Sequence, residues 1–269
     1  MDHFRKTVIL AISSDIGRAI AMRRLKQGAF VAGTYRTDFS DINQLRVAGA
    51  KMVIADFSNT ESIDSACRTM TSLAESWDEL IVAPGTLEPI GNFEDIDFDD
   101  WSTSFNVNFL NQLRAVQKLL NCRKKGASVL FFSGGGTNSA ADRFSAYTAS
   151  KIALIKMTEL LDSEISDAKF TILGPGWIKT KIHNQTIKAK EDAGSAYVTT
   201  IKRMENSEFG SIEDLLECID WIYTQPKKIV GGRNISSQHD KWKSDLPKIF
   251  DSDPSAGKLR RHANNKLSC

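Results

Sequence analysis

Long apolar runs are missing from this chain. None reaches the roughly 18 residues needed to cross a bilayer, and Met1-Asp2-His3-Phe4-Arg5-Lys6 leads straight into a strand-like run with no signal-peptide pattern. Cysteine is scarce: Cys67, Cys122, Cys218 and Cys269 show neither metal-ligand spacing nor a compact disulfide framework. Reduced thiols, no metal site and a cytoplasmic location are the expectation. An excess of charge of one sign is also missing. A formal net charge of +2 argues for no nucleic acid and no membrane as partner. There is no internal repeat, and no linker divides the chain.

What remains is an ordinary aqueous composition. With 41% hydrophobic and 25% charged residues over 269 positions, the chain can bury a sizeable core within one large α/β unit. Short apolar runs at 7–12, 30–34, 51–55, 80–83, 128–132, 169–173 and 234–237 have the length of buried strands. Helical periods fall between them, at 16–25, 42–48, 62–74, 99–120, 147–163 and 211–224, the last opened by Ser211 as N-cap. Strand alternating with helix predicts a doubly wound parallel sheet with helices on both faces. The stretch 177–209 is polar and weakly periodic, placed where such a sheet carries a lid over its substrate. Residues 1–242 form the main unit in this reading, and 243–269, rich in Lys, Arg, Asn and Ser, form a flexible basic tail.

The chemistry centres on Phe144-Ser145-Ala146-Tyr147-Thr148-Ala149-Ser150-Lys151. On a helix Tyr147 and Lys151 share one face. A phenol beside an ammonium suits proton transfer to a carbonyl or from an alcohol, because a neighbouring positive charge favours the ionised phenol. The spacing recurs at Tyr223 and Lys227, where Pro226 argues against a continuous helix, so one of the two matches is accidental.

Ligands of an open α/β sheet bind beyond the carboxyl ends of its strands. Those ends here carry the turn Ser13-Ser14-Asp15-Ile16-Gly17, then Tyr35-Arg36, Asp56-Phe57, Ala83-Pro84-Gly85, Gly134-Gly135-Gly136 and Pro175-Gly176. With these residues the chain resembles the short-chain dehydrogenase/reductase family over about residues 5 to 240, and the resemblance implies a Rossmann-type fold binding NADP or NAD. Tyr147 and Lys151 match the family's Tyr-x-x-x-Lys pair, and Asn108 falls at its catalytic asparagine. Tyr147 is thereby the expected acid or base, Lys151 the group lowering its pKa and bonding the nicotinamide ribose, and Asn108 the holder of a relay water. The cofactor-binding positions implied are Ser13, Ser14, Ile16, Arg36, Asp56, Phe57, Ala83, Gly85, Tyr147, Lys151, Pro175, Gly176, Ile178 and Thr180. Thr34 stands where an NAD-binding member would carry a carboxylate. With Arg36 following, NADP is expected, with NAD as the alternative.

Three departures stand out. The family's Gly-x-x-x-Gly-x-Gly turn appears with Ala11, Asp15 and Gly17 at its glycine positions. Alanine is a small steric change. Asp15 either competes with a pyrophosphate for the helix N-terminus or is an N-cap turned away. Val82-Ala83-Pro84-Gly85 lacks the family's asparagines, so that loop needs another brace. Counting back from Tyr147 to the family's serine reaches Gly134. Ser133, Thr137, Ser139 and the backbone N–H groups of the three glycines are the alternatives.

The expected function is hydride transfer between NADP(H) and a carbonyl or alcohol substrate. A looser likeness, in Ser-Gly-Gly-Gly and His239-Asp240 with Trp242, to members associated with surface polysaccharides and nucleotide sugars implies a polar substrate. The alternative is a non-catalytic nucleotide-binding or scaffold protein on the same fold. Family members form homodimers or homotetramers through helices that here carry Phe105, Phe109, Leu154, Met157 and Leu161.

Overall fold

The computed structural model describes residues 5–38 and 41–260. Its centre is a parallel sheet of seven strands: β1 (Lys6–Leu10), β2 (Phe30–Tyr35), β3 (Lys51–Ile54), β4 (Trp77–Val82), β5 (Arg123–Phe132), β6 (Ala168–Gly174) and β7 (Asn234–Ser236). Their spatial order is β3-β2-β1-β4-β5-β6-β7, which puts the switch in strand order between β1 and β4. Helices follow the strands: α1 (Asp15–Lys26), α2 (Ile42–Val47), α3 (Thr60–Ala74), α4 (Phe98–Phe105), α5 (Asn111–Leu119), α6 (Ser145–Glu164), α7 (His183–Ala189), α8 (Ser195–Glu205), α9 (Ile212–Thr224), α10 (Lys227–Val230) and α11 (Leu246–Ser252).

Alternation along the strands sends side chains to two cores. Val8 and Leu10 join Ile63, Met70, Trp77, Val116, Leu119 and Leu154 under α3, α5 and α6. Ile9 joins Ile20, Val31, Leu215, Ile219 and Ile222 under α1 and α9. Across the sheet's amino end, Arg24 (1% exposed) makes a two-pronged bond to Glu79 (2% exposed) at 2.7 and 2.8 Å, and Glu79 also accepts from Thr7 Oγ1. Burial of this pair is tolerable because each charge is matched and hydrogen-bonded.

Three differences from the sequence reading, and one agreement at Tyr223, have local causes. The 99–120 period is one rod interrupted by a wide turn at Asn106–Leu110, with Asn108 inside it. The second Tyr-x-x-x-Lys match is accidental, as α9 stops at Thr224 and Pro226 caps α10. Lys227 Nζ is spent on the carbonyls of Asp162, Ile165 and Ala168. The lid stretch contains two helices, α7 and α8. The tail is not loose as far as Arg260: Leu246 and Phe250 of α11 are buried with Trp242, and Arg233 donates to the carbonyls of Phe250, Asp253 and Ala256. Residues 261–269, with Cys269, lie outside the described residues. No helix among the described residues is long and apolar enough to cross a membrane, and they contain no cluster fit to hold a metal ion.

Candidate active site

The turn after β1 brings chain and helix into close approach. A Cβ on Gly17 would lie 2.5 Å from the Ala11 carbonyl oxygen and 2.8 Å from Ser14 Oγ, so glycine is obligatory there. Ala11 has φ +59°, a left-handed conformation that is costly for any residue with a Cβ. Its substitution for glycine is therefore more than the small steric change expected. Ser14, not Asp15, is the N-cap of α1, with Oγ accepting from Gly17 N–H at 3.0 Å. The N–H groups of Ser13, Asp15 and Ile16 make no hydrogen bond to another described residue, and they stand at a helix start that favours an anion. The residues present therefore fit a dinucleotide's phosphates, with one carboxylate set against them. Asp15 Oδ2 accepts from the N–H of Lys181 at 2.6 Å, and its other oxygen lies 3.4 Å from Arg18.

Strand β2 continues one residue beyond the expected end. Thr34 is buried and accepts from Ala11 N–H at 2.9 Å, so Tyr35 holds the terminal position and Arg36 stands exposed after it. Asp56 lies near enough for Arg36 to influence it. Burial alone would push the Asp56 carboxyl up. The Ser58 N–H and hydroxyl, with Arg36 beyond them, hold it below its ordinary value. Phe57 has its ring in the core under α3, and its carbonyl accepts from Asn111.

The loop after β4 gains its brace from the turn inside the long helix. Asn108, fully buried, accepts from Thr86 N–H at 3.0 Å and donates to the Thr86 carbonyl at 2.9 Å. Gln112 donates to the Pro84 carbonyl. Ala83 N–H bonds the Leu10 carbonyl, and Gly85 passes beside the Asn108 amide. The Asn108 amide is thus bonded to the loop and to Ser104 Oγ. Gln112 went unnoticed in the sequence because its partner is a backbone carbonyl brought close only by folding.

Tyr147 and Lys151 are brought together on the first turns of α6, Lys151 Nζ lying 5.7 Å from the phenol ring centre. Lys151 is buried and donates to the Phe132 carbonyl at 2.9 Å. Burial pushes the Tyr147 phenol up to about 12 and the Lys151 ammonium down to about 8. Desolvation disfavours the charged form of both groups. A Cβ on Gly134 would fall 2.6 Å from ring atoms of Tyr147 and closer still to its oxygen. Ser133 is turned toward Gly174 on β6, and Thr137 Oγ1 reaches only the Gly134 carbonyl, at 3.4 Å.

Pro175 and Gly176 end β6, Gly176 at φ +71° with the Gln238 side chain filling the space where a Cβ would be. Ile178 is buried, its carbonyl bonded to His183 Nε2 at 2.9 Å, and half-buried Thr180 leads into the lid. Burial first, then Arg203, lowers the His183 pKa against the pull of the Ile178 carbonyl. Trp177 is stacked on both His183 and Phe209. Gln185 of α7 accepts from Leu87 N–H at 2.8 Å and donates to Thr86 Oγ1 at 3.1 Å, so the lid is tied to the β4 loop as well as to Asp15. A cavity of about 720 Å³ between the lid, α9 and the segment after β7 includes Trp177 and Gln238 but neither Tyr147 nor Lys151. His239 is exposed, away from any role visible in the structure.

A doubly wound parallel sheet with a Tyr-x-x-x-Lys helix on its carboxyl rim defines the class as a dinucleotide-fold oxidoreductase. A family model described as Enoyl-(Acyl carrier protein) reductase matches residues 10–237, and the chain belongs to the short-chain dehydrogenase/reductase family. It is 24% identical over 224 residues to dehydrogenase/reductase SDR family member 6 of Rattus norvegicus, covering 79% of this chain and 87% of that one. It is 25% identical over 192 residues to the NADPH-dependent pterin aldehyde reductase of Arabidopsis thaliana, covering 66% and 76%. The crystal structure of a short-chain dehydrogenase/reductase from Saccharomyces cerevisiae superposes with a TM-score of 0.78 at 20% identity, covering 90% of this chain and 99% of that one.

Proposed function

We propose that this chain transfers a hydride between NADP(H) and a carbonyl or alcohol of a small polar substrate, in the cytoplasm. The observation that carries the reading is the Tyr147–Lys151 pair one helical turn apart on the sheet's carboxyl rim. The cofactor, when bound, supplies or accepts the hydride. Tyr147 holds the proton that goes to the carbonyl oxygen, and burial keeps its phenol in the protonated form near neutrality. Lys151 orients the ribose and, by carrying charge when the site is polar enough, eases loss of that proton. Asn108 positions the β4 loop against the cofactor.

Support for NADP comes from exposed Arg36 beyond a β2 end that carries Tyr35 in place of a carboxylate, and from the NADPH dependence of the Arabidopsis relative. Free thiols at Cys67, Cys122 and Cys218 support the reducing compartment. A homodimer or homotetramer is supported by the aromatic row Phe98, Trp101, Phe105 and Phe109 on the long helix, Phe98 being 64% exposed. Leu154 is spent on the core.

The test is a fluorescence titration with NADPH and NADH, then a screen of aldehydes, ketones and keto-sugars with the cofactor that binds. Tyr147→Phe is expected to keep cofactor binding and lose at least a hundredfold in turnover. Unchanged turnover removes Tyr147 from the chemistry. Asp15 and Gly134 favour the second reading, a non-catalytic nucleotide binder. Saturable binding without NADPH oxidation across the whole panel selects it.

A further inference from the structure

The dinucleotide turn and the lid are joined by one carboxylate. Asp15 stands at the first position of α1, between the unpartnered N–H groups of Ser13 and Ile16, and its Oδ2 accepts from Lys181 N–H at 2.6 Å. The residue bonded directly follows Thr180, in the segment entering α7. Every charged group on the carboxylate is accounted for: Arg18, 3.4 Å away on the same helix, is itself shared with Asp41 at the start of α2. Four residues on, the same segment is fastened separately, by Gln185 on Thr86 and Leu87. The two ties lie on opposite sides of the switch point between β1 and β4, where a doubly wound sheet binds its ligand.

We propose that Asp15 is a positioning residue that latches the lid across the mouth of the dinucleotide groove, so that entry of a pyrophosphate requires the latch to yield. Two physical effects act together. The Asp15 carboxylate holds Lys181, so the lid rests closed. It also places a negative charge beside the helix start that receives an anion, opposing the phosphates by like-charge repulsion. Glycine at this position would do neither. Residue 15 therefore weakens cofactor binding in exchange for a closed groove. The latch itself stands on the geometry of this structure. Its effect on NADPH rests on the cofactor reading above.

Two substitutions separate the effects. Asp15→Asn keeps an oxygen able to accept from Lys181 but removes the charge, and Asp15→Ala removes both. The lid carries its own reporters of opening, Lys179, Lys181, Lys188, Lys190, Lys202 and Arg203, at which trypsin cuts when the segment leaves the body. In limited proteolysis of the cofactor-free full chain, Asp15→Ala is expected to raise the rate of lid cleavage about fivefold or more, with Asp15→Asn near the wild-type rate. In NADPH fluorescence titrations both variants are expected to bind about three- to tenfold more tightly. Cooperative unfolding at the wild-type midpoint shows each variant to be folded. Wild-type cleavage in Asp15→Ala overturns the latch, and unchanged or weaker NADPH binding in both variants overturns the charge effect. If the wild-type protein binds neither NADPH nor NADH, the cofactor reading fails instead, while the cleavage rates still decide the latch.

Discussion

Gly134 and Tyr147 share one space. The phenol leans over the Cα of Gly134, and a Cβ there would sit 2.6 Å from two of its ring carbons. The position reached by counting back from Tyr147 to the family's serine is thus filled from the other side, by the tyrosine itself. The ring also cannot withdraw freely, since Tyr147 is half-buried on the first turn of a helix whose Ala146 and Ser150 are buried.

Restoring the family's serine should consequently harm this protein. Gly134→Ser and Gly134→Ala are both expected to move the Tyr147 ring and lower kcat/KM at least tenfold, measured on whichever carbonyl the screen yields. A gain in activity in Gly134→Ser would show that the ring yields easily and that a hydroxyl was wanting.

The turn after β1 makes an opposite prediction. Ala11 holds φ +59°, so Ala11→Gly is expected to stabilise the fold, by up to about 1 kcal/mol in urea unfolding. Gly17→Ala should destabilise it by about 1 to 3 kcal/mol, because the added methyl meets the Ala11 carbonyl.

Asn108 satisfies both backbone groups of Thr86 from inside the core. Asn108→Ala leaves them unpaired and is expected to cost about 2 to 3 kcal/mol. Hydrogen exchange should show the loop at 84–87 losing protection before the strands do, which a purely global effect would not produce.

Lys151 gives a pH dependence. Its ammonium is held at about 8, below the 10.5 of the unfolded chain, by burial. Between those values the unfolded chain binds more protons, so stability rises with pH across that window and the destabilising contribution is fully present below it. Lys169, also pushed down to about 8 by burial, acts in the same sense. Tyr147 acts oppositely from 10 to about 12, where the folded chain keeps the proton longer. Lys151→Met is expected to flatten the rise in urea midpoint between about pH 8 and 10. A slope equal to wild type would mean that Lys151 is better solvated than its position implies.

The buried Arg24–Glu79 pair lies at the opposite end of the sheet from the site. Glu79→Gln removes one of the two carboxylates on the buried Arg24 guanidinium, the other being Asp220, and should cost about 1 to 3 kcal/mol of stability, while the KM of the surviving folded protein stays at the wild-type value.

Much of the architecture was legible because it depends on local pattern. Strands such as β2 and β6 are continuous apolar runs, and α9 is opened by Ser211 and closed near Pro226. The pairing of Tyr147 with Lys151 follows from helical periodicity alone. The lid helices and α11 were not legible, since 177–209 and 243–260 are mostly polar and draw their order from contacts with distant segments, such as Gln185 on Thr86 and Leu87 and Phe250 in the core beside Arg233.

The amino-acid order by itself determined the strand–helix alternation, the parallel sheet and the residue types on its carboxyl rim, because hydrophobic periodicity and helix signals act over a few neighbours. Only the tertiary structure decided what those rim residues touch. Asp15 meets Lys181, Asn108 meets Thr86, and Tyr147 takes the room above Gly134, each pairing residues from separate strand–loop units. Such contacts are set by where the sheet carries its loops, and no local pattern encodes a distance between segments far apart along the chain.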